Sequence, residues 1–235
     1  MNQDIRVVLI TGTSKGIGKG LALHYCSNGY WVVGCSRNKS SIEHENYTHI
    51  SIDLTSEKAS GQLIRSVLDK FGRLDVLINN AGIASMNHII TTPESTIESV
   101  FRTNFFVPFL LTREASKAMS RKRYGRIINF TTVAVPLNLE GEAVYASSKA
   151  ALESFTRISA IELAPLGITV NAIGPAPFDT GLIRSVPSDK IDKLIERQAI
   201  KRKAEMNDIL HVTDFFINPA AEFITGQIIY LGGVF

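Results

Sequence analysis

A tyrosine and a lysine stand at positions 145 and 149 of the segment "VYASSKAA". At this spacing the two side chains share one face of a helix. Reduction of a carbonyl by a nicotinamide needs a hydride on carbon and a proton on oxygen. A phenol is a weak acid at neutral pH, with a free pKa of about 10, and a neighbouring ammonium group is expected to lower that pKa by stabilising the phenolate. Tyr145 and Lys149 therefore predict a proton-transfer site; the alternative is an ordinary surface Tyr–Lys pair.

Thr132 precedes this pair and ends a segment that is predicted to be a strand, "RIINFTT". Ligands of parallel sheets bind at the carboxyl ends of strands. A hydroxyl group at that edge can donate a hydrogen bond to the substrate oxygen and orient it towards Tyr145. Strand alternation is expected to point the neighbouring Thr131 to the opposite face. Thr132 is thus the predicted donor, unless it is simply a residue that favours β structure.

A glycine-rich turn, "TGTSKGIG", follows the first predicted strand and opens a helix. Glycine permits a tight turn and close approach of the backbone, and a helix N-terminus presents free N–H groups to a pyrophosphate. An ordinary glycine-rich loop is the alternative, but the position directly after an N-terminal strand favours a dinucleotide site. The predicted contacts are Gly12, Thr13, Ser14, Lys15, Gly16, Ile17 and Gly18.

The end of the second predicted strand indicates which dinucleotide binds. Proteins that select NAD usually have an acidic residue there, which holds the ribose 2′-hydroxyl and repels a 2′-phosphate. This chain instead has Ser36 and Arg37, and Lys15 adds a second positive charge from the glycine turn. An arginine pairs well with a phosphate, although a solvated surface arginine is the alternative. The sequence predicts NADP(H).

Strand-length apolar segments alternate with longer segments that have helical spacing. The strands are continuously apolar, which is typical of a parallel sheet covered on both faces. The pattern predicts an α/β fold, a Rossmann-type doubly wound parallel sheet flanked by helices on both faces, in one domain over residues 1–235. The predicted strands are Ile5–Thr11, Trp31–Ser36, Thr48–Ile52, Leu74–Asn79, Arg126–Thr132, Gly167–Ile173 and Ile228–Leu231, and the predicted helices are Lys15–Gly29, Ser56–Phe71, about Pro93–Arg121 and Ala143–Leu166.

Composition excludes several other classes of protein. The formal net charge of +3 on 235 residues requires neither nucleic acid nor an anionic membrane as a partner. The apolar run at 105–111 is too short to span a bilayer, and Met1–Thr11 lacks the pattern of a secretion signal. Cys26 and Cys35 are the only cysteines, so neither a disulfide framework nor a metal site is expected. We therefore expect a cytoplasmic protein.

Together these motifs resemble the short-chain dehydrogenase/reductase family, in its shorter single-domain subtype. The resemblance implies that Asp53 and Leu54 contact the adenine, that Asn104 is the catalytic helix asparagine, and that Lys149 also holds the nicotinamide ribose. This chain departs from the family at Thr132, where serine is usual, and at Ala176, where glycine is usual. Further contacts to the cofactor are implied for Asn80, Ala81, Gly82, Pro175, Phe178 and Thr180.

The resemblance extends to reductases of 3-oxoacyl groups carried on acyl carrier protein. It implies a carbonyl substrate, most simply a 3-oxoacyl thioester, covered by a lid at about 178–206, and a homotetramer or homodimer. Two basic clusters, Arg121–Arg126 and Lys201–Lys203, are candidate docking sites for the acidic carrier, unless they are solvated faces. The alternatives are a small free ketone, a sugar-like carbonyl, or a catalytically idle protein that senses NADP(H).

Overall fold

A computed structural model describes residues 5–178 and 188–234 of the chain. Seven parallel strands form one sheet in the order β3-β2-β1-β4-β5-β6-β7. β2 and β3 are added on one side of β1, and β4 to β7 are added on the other side. The predicted doubly wound α/β sheet is confirmed. The strands are β1 Val7–Thr11, β2 Trp31–Ser36, β3 Tyr47–Ser51, β4 Val76–Asn79, β5 Gly125–Phe130, β6 Ile168–Gly174 and β7 Ile228–Tyr230.

Helices cover both faces of this sheet, because alternate residues of each strand point to opposite sides. On one face Leu9 of β1 packs in a cluster with Leu63 and Leu111. On the other face Ile10 packs with Leu21 and Phe216. The helices are α1 Gly16–Ser27, α2 Ala59–Phe71, α3 Glu94–Phe101, α4 Val107–Met119, α5 Ala134–Leu137, α6 Ala143–Leu163, α7 Ser188–Glu196 and α8 Met206–Ile217.

The long helix predicted at about Pro93–Arg121 contains a π turn. A π-helical turn, Arg102–Phe106, separates α3 from α4, and the Val107 N–H bonds to the Arg102 carbonyl across it. Pro108 follows as the second residue of α4, where its missing N–H is tolerated. The backbone stays in the right-handed helical region through the junctions at Arg102, Phe106 and Val107, so the predicted helical span is confirmed with a π turn inside it.

Two other boundaries differ from the sequence-based predictions. β5 ends at Phe130, so Thr131 and Thr132 follow the strand instead of ending it. The predicted cover at 178–206 contains α7, while residues 179–187, including Thr180, lie outside the described residues. Over the ranges that the structure describes, no helix is long and apolar enough to cross a membrane.

Candidate functional site

The candidate site lies at the carboxyl edge of the sheet, around the ends of β1, β4, β5 and β6. The chain reverses its direction of strand addition between β1 and β4, which is where doubly wound sheets open a crevice for ligands. The glycine turn follows β1, and the segment Asn80–Gly82 follows β4. Both segments therefore meet at this crevice.

Close packing shapes the glycine turn. Gly12 and Gly16 have φ values of +77° and +59°, a conformation that favours glycine. A Cβ added at Gly18 would lie 2.5 Å from Asn80 Nδ2 and would also overlap the Gly12 carbonyl oxygen. No side chain larger than hydrogen fits at Gly18, so the start of α1 lies directly against the turn.

Asn80 and Thr11 join this turn to the segment after β4. Asn80 Nδ2 donates to the Thr11 carbonyl at 2.8 Å, and Thr11 Oγ1 accepts from the backbone N–H groups of Asn80 and Ala81 at 3.0 and 2.9 Å. These bonds fix the relative position of the two segments. The backbone N–H groups at the start of α1 are thereby held at a concave surface suited to a pyrophosphate.

A chain of hydrogen bonds lies beside the end of β2. Thr13 Oγ1 is 2.8 Å from Tyr47 Oη, which is 3.0 Å from His49 Nδ1. His49 Nε2 lies 2.8 Å from the Asn38 carbonyl and 3.3 Å from Ser36 Oγ. Because a carbonyl only accepts, Nε2 carries the proton and Nδ1 accepts from Tyr47. Tyr47 and His49 were missed from sequence, since their relevance arises only when β3 pairs with β2.

Two of the charged residues predicted to hold the adenosine half, Arg37 and Asp53, are near each other. Lys15 and Arg37 are both exposed, and Ser14 is half-buried, as is Leu54. Asp53 Oδ1 accepts hydrogen bonds from the hydroxyl and N–H of Thr55, at 2.7 and 2.9 Å. These bonds, with a smaller contribution from the Arg37 charge, lower the pKa of Asp53. Arg37 is thus within electrostatic reach of Asp53, across the ends of β2 and β3.

Tyr145 and Lys149 lie on one face of α6, as their spacing predicted, but their ionisation differs from the prediction. Burial raises the pKa of Tyr145 to about 12; a hydrogen bond from Thr132 opposes this and the Glu142 charge adds to it. Burial lowers the pKa of Lys149 to about 8. Lys149 Nζ donates to the Phe130 carbonyl at 2.7 Å. The expected lowering of the Tyr145 pKa by Lys149 was therefore wrong for this structure, in which burial is the largest cause of the shift and raises the pKa.

The two threonines after β5 have different partners. The Thr132 hydroxyl lies close enough to Tyr145 to lower the pKa of the phenol, and Thr132 Oγ1 accepts a hydrogen bond from the Ala134 N–H at 3.2 Å. Thr131 Oγ1 instead donates to Glu153 Oε1 at 2.5 Å. Because the Thr131 hydroxyl is committed to Glu153, Thr132 is the hydroxyl donor available beside Tyr145.

Asn104 supports the segment after β4. Its amide bonds to both backbone groups of Ile83, with Oδ1 accepting at 2.9 Å and Nδ2 donating at 2.9 Å. Nδ2 also donates to Ser148 Oγ on α6 at 3.1 Å. A Cβ added at Gly82 would lie 3.2 Å from Asn104 Oδ1 and 3.4 Å from Lys149 Nζ. Asn104 therefore positions this backbone next to Lys149.

A cavity of about 350 Å³ extends from Ile17 of the glycine turn to Tyr145. Ile17, Thr132 and Tyr145 line it, as do Pro175 and Phe178. Ala176, where the family usually has glycine, also lines the cavity, is buried, and lies outside the left-handed region. Sequence reasoning did not identify several further lining residues, which are Met86, Leu139, Glu140, Glu142, Lys190 and Arg197.

Comparison with known proteins identifies the family that the sequence motifs resemble, the short-chain dehydrogenases. A family model described as short chain dehydrogenase matches residues 6–191. The 3-oxoacyl-[acyl-carrier-protein] reductase FabG of Staphylococcus epidermidis is 32% identical over 235 residues, which is 96% of each chain. A solved structure of ElxO with NADP bound has a TM-score of 0.89 at 30% identity and covers 97% of each chain. The ligand-free Thermoplasma acidophilum aldohexose dehydrogenase has a TM-score of 0.89 at 28% identity and covers 99% of this chain and 95% of that one.

The match over residues 6–191 and the doubly wound sheet together define the class of protein, which is a dinucleotide-binding oxidoreductase. The chain belongs to the short-chain dehydrogenase family, and it resembles the 3-oxoacyl-[acyl-carrier-protein] reductases within it.

Proposed function

We propose that the protein is an NADPH-dependent carbonyl reductase that transfers a hydride to a ketone. The observation that carries this proposal is the shared cavity: Ile17 of the glycine turn lines the same space as Tyr145 and Thr132. A dinucleotide bound at the turn would therefore reach a place where a phenol and a hydroxyl group converge. The ElxO structure with NADP bound and the basic residues Lys15 and Arg37 support NADP(H) as the cofactor.

The residues of the crevice fit a dinucleotide. The free N–H groups at the start of α1, which the close packing at Gly18 holds against the turn, would hold its pyrophosphate. Ser36 and Arg37 would hold the 2′-phosphate, Asp53 and Leu54 the adenine, and Lys149 the nicotinamide ribose. When bound, the reduced nicotinamide supplies the hydride.

Tyr145 and Thr132 would act on the substrate oxygen. With a pKa of about 12, Tyr145 is protonated at neutral pH, which is the form that reduction requires. An alkoxide is more basic than a phenolate, so transfer of the phenol proton to the developing alkoxide is downhill. Thr132 would donate a second hydrogen bond and hold the carbonyl oxygen against the phenol.

A 3-oxoacyl thioester is the first candidate substrate, because it is the substrate class in the names of the sequence relatives. One of the two basic clusters does not support docking of a carrier protein. Arg126 is the second residue of β5, at the edge of the sheet opposite the site, and it is buried with its guanidinium donating to the Gly125 and Pro219 carbonyls. The cluster Lys201–Lys203 directly precedes Ala204, which pairs with Phe178 at the cavity. A carrier would therefore dock on this second cluster.

A small hydroxylated ketone is the second candidate, favoured by the Glu142 carboxyl in the cavity wall. One of the structural neighbours is named an aldohexose dehydrogenase, a protein that acts on a hydroxylated compound. Such a substrate needs no docking surface, so it does not require the Arg121–Arg126 cluster to bind a carrier protein.

Assembly into a homotetramer, or a homodimer, is also part of the proposal. Large apolar side chains are exposed on α4 and α6, where Phe109 and Ile161 are 40% and 76% exposed. Phe109 packs against Phe155 at a ring distance of 4.9 Å, so the two helices present one continuous apolar face. A second copy of the chain would bury it. The cytoplasmic location stays a prediction.

NADPH oxidation with paired substrates tests the proposal. A 3-oxoacyl thioester on carrier protein and its small-molecule mimic should both be reduced, and a large preference for the carrier form assigns the docking role to Lys201–Lys203. Equal rates would leave that cluster as a solvated face. Tight NADPH binding without turnover of any ketone or thioester would instead support the idle, cofactor-sensing alternative.

A further inference from the structure

The cavity wall contains an acidic residue that the mechanism above does not use. Glu142 precedes the first residue of α6 and lies three positions before Tyr145, on the same side of the helix start. Its side chain lines the cavity together with Tyr145 and Thr132. A group held by Glu142 would therefore lie close to the carbonyl that Tyr145 and Thr132 hold.

The Glu142 carboxyl has no hydrogen-bond donor in the described parts of the chain. Its Oε2 is shielded from solvent and unpartnered. Lys190 on α7 is within electrostatic reach, but its Nζ is directed to Met86 Sδ, at 3.7 Å. A buried acceptor without a donor costs free energy, and such groups persist in native proteins where a ligand supplies the missing partner.

The charged and titratable groups around Glu142 come from two helices and from the loops beside them. Lys190 and Lys193 face the cavity from α7, Tyr145 faces it from α6, and Glu140 and Arg197 line it from the adjoining loops. Burial raises the pKa of Glu142 to about 7, and the charge of Lys190 opposes this rise. The carboxyl therefore becomes ionised, and a stronger acceptor, as the pH rises through about 7.

We propose that the Glu142 carboxylate accepts a hydrogen bond from a hydroxyl group of the substrate, which is a ketone hydroxylated close to its carbonyl. This inference rests on the proposed ketone reductase and selects the second of its candidate substrates, the small hydroxylated ketone, over the 3-oxoacyl thioester. Side chains three apart on a helix have Cβ atoms about 5–6 Å apart, so the hydroxyl belongs within two or three bonds of the carbonyl carbon. A site built to bond a hydroxyl group rejects the analogue that lacks it, because the acceptor is then left unpaired.

Hydroxyacetone and butanone test this proposal, because they have the same number of heavy atoms and differ by a hydroxyl for a methyl group. The quantity measured is the ratio of their kcat/KM values with NADPH. We expect this ratio to fall about tenfold or more in Glu142→Leu, because only hydroxyacetone loses a hydrogen bond and any change at Tyr145 affects both ketones alike. Glu140→Gln is the matched control: Glu140 lines the same cavity but is exposed, and its loss should leave the ratio as in the wild type.

The pH dependence adds a signature that a merely structural role would not give. In the wild type the preference for hydroxyacetone should rise as pH increases through about 7, where Glu142 becomes ionised. In Glu142→Gln, which does not titrate, the preference should be flat. Isothermal titration calorimetry of both ketones on the complex with NADP⁺ gives the ratio of their Kd values, which reports the same preference without turnover.

Equal ratios in the wild type and Glu142→Leu would overturn the inference while leaving the ketone reductase intact. An equal loss in Glu140→Gln would also overturn it. If neither ketone is reduced while NADPH binds, calorimetry with the two ketones decides the role of Glu142, and turnover of the 3-oxoacyl thioesters decides the proposed function separately. If Glu142→Leu does not fold, the pH profile of Glu142→Gln decides instead: a flat profile supports the inference, and a profile like that of the wild type overturns it.

Discussion

Gly18→Ala is expected to weaken dinucleotide binding by adding one methyl group. The new Cβ would overlap the Gly12 carbonyl oxygen and lie 2.5 Å from Asn80 Nδ2, and both atoms belong to the hydrogen-bonded junction between the glycine turn and the segment after β4. Neither can retreat without breaking that junction. Overpacking of this kind costs about 1–3 kcal/mol. In a domain of this size that corresponds to a melting temperature lower by about 2–12 °C.

The effect on NADPH should exceed the effect on folding, because the strain falls on the surface that would receive the pyrophosphate. We expect the Kd for NADPH, measured by calorimetry, to rise at least about tenfold, which is about 1.4 kcal/mol. Gly61→Ala is the matched control. A Cβ there meets nothing within 4 Å, and alanine favours the helix interior by about 0.5–1 kcal/mol, so its melting temperature should rise and its Kd stay unchanged. A Gly18→Ala protein that melts and binds NADPH like the wild type would refute the reasoning.

Three further predictions concern single side chains. Thr132→Val should lower kcat/KM for the ketone by about 100-fold, because it removes a hydrogen bond to the reacting oxygen, whereas Thr132→Ser should retain most activity; equal losses would exclude that role. His49→Ala should reduce the preference for NADPH over NADH, measured as a ratio of Kd values. The turn at Asn38 loses its hydrogen bond from Nε2, and this turn positions the neighbouring Arg37, which would hold the 2′-phosphate; an unchanged ratio would contradict this. Asn104→Ala should lower the free energy of unfolding by about 1–3 kcal/mol in urea titration, because three buried hydrogen bonds are lost; a neutral change would show that Asn104 does not position the Ile83 segment.

Sequence patterns predicted the parts of the site that are determined locally. The glycine turn was predictable because its chemistry depends on a short segment after one strand, and Gly12 and Gly16 have the positive φ that only glycine adopts freely. Likewise, the spacing of Tyr145 and Lys149 determines which face of α6 they share. The cofactor-binding and catalytic roles of these residues remain predictions.

Features that depend on packing between distant segments were not predictable. The rise in the Tyr145 pKa follows from burial, and burial depends on the segments packed around α6. The hydrogen bond from Lys149 to the Phe130 carbonyl joins α6 to β5, and the one between Thr13 and Tyr47 depends on the pairing of β2 with β3. The π turn at Arg102–Phe106 has no recognised sequence signal, and Glu142 becomes noticeable only when the cavity beside it is seen.

The most direct test of the proton-transfer claim is NADPH oxidation by Tyr145→Phe with a ketone that the wild type reduces, measured beside NADPH binding to the same protein. The proposed mechanism predicts a loss of kcat of about 100-fold or more, with the Kd for NADPH within a few fold of the wild-type value. Unchanged turnover in Tyr145→Phe would show that the proton comes from another group and would contradict the mechanism.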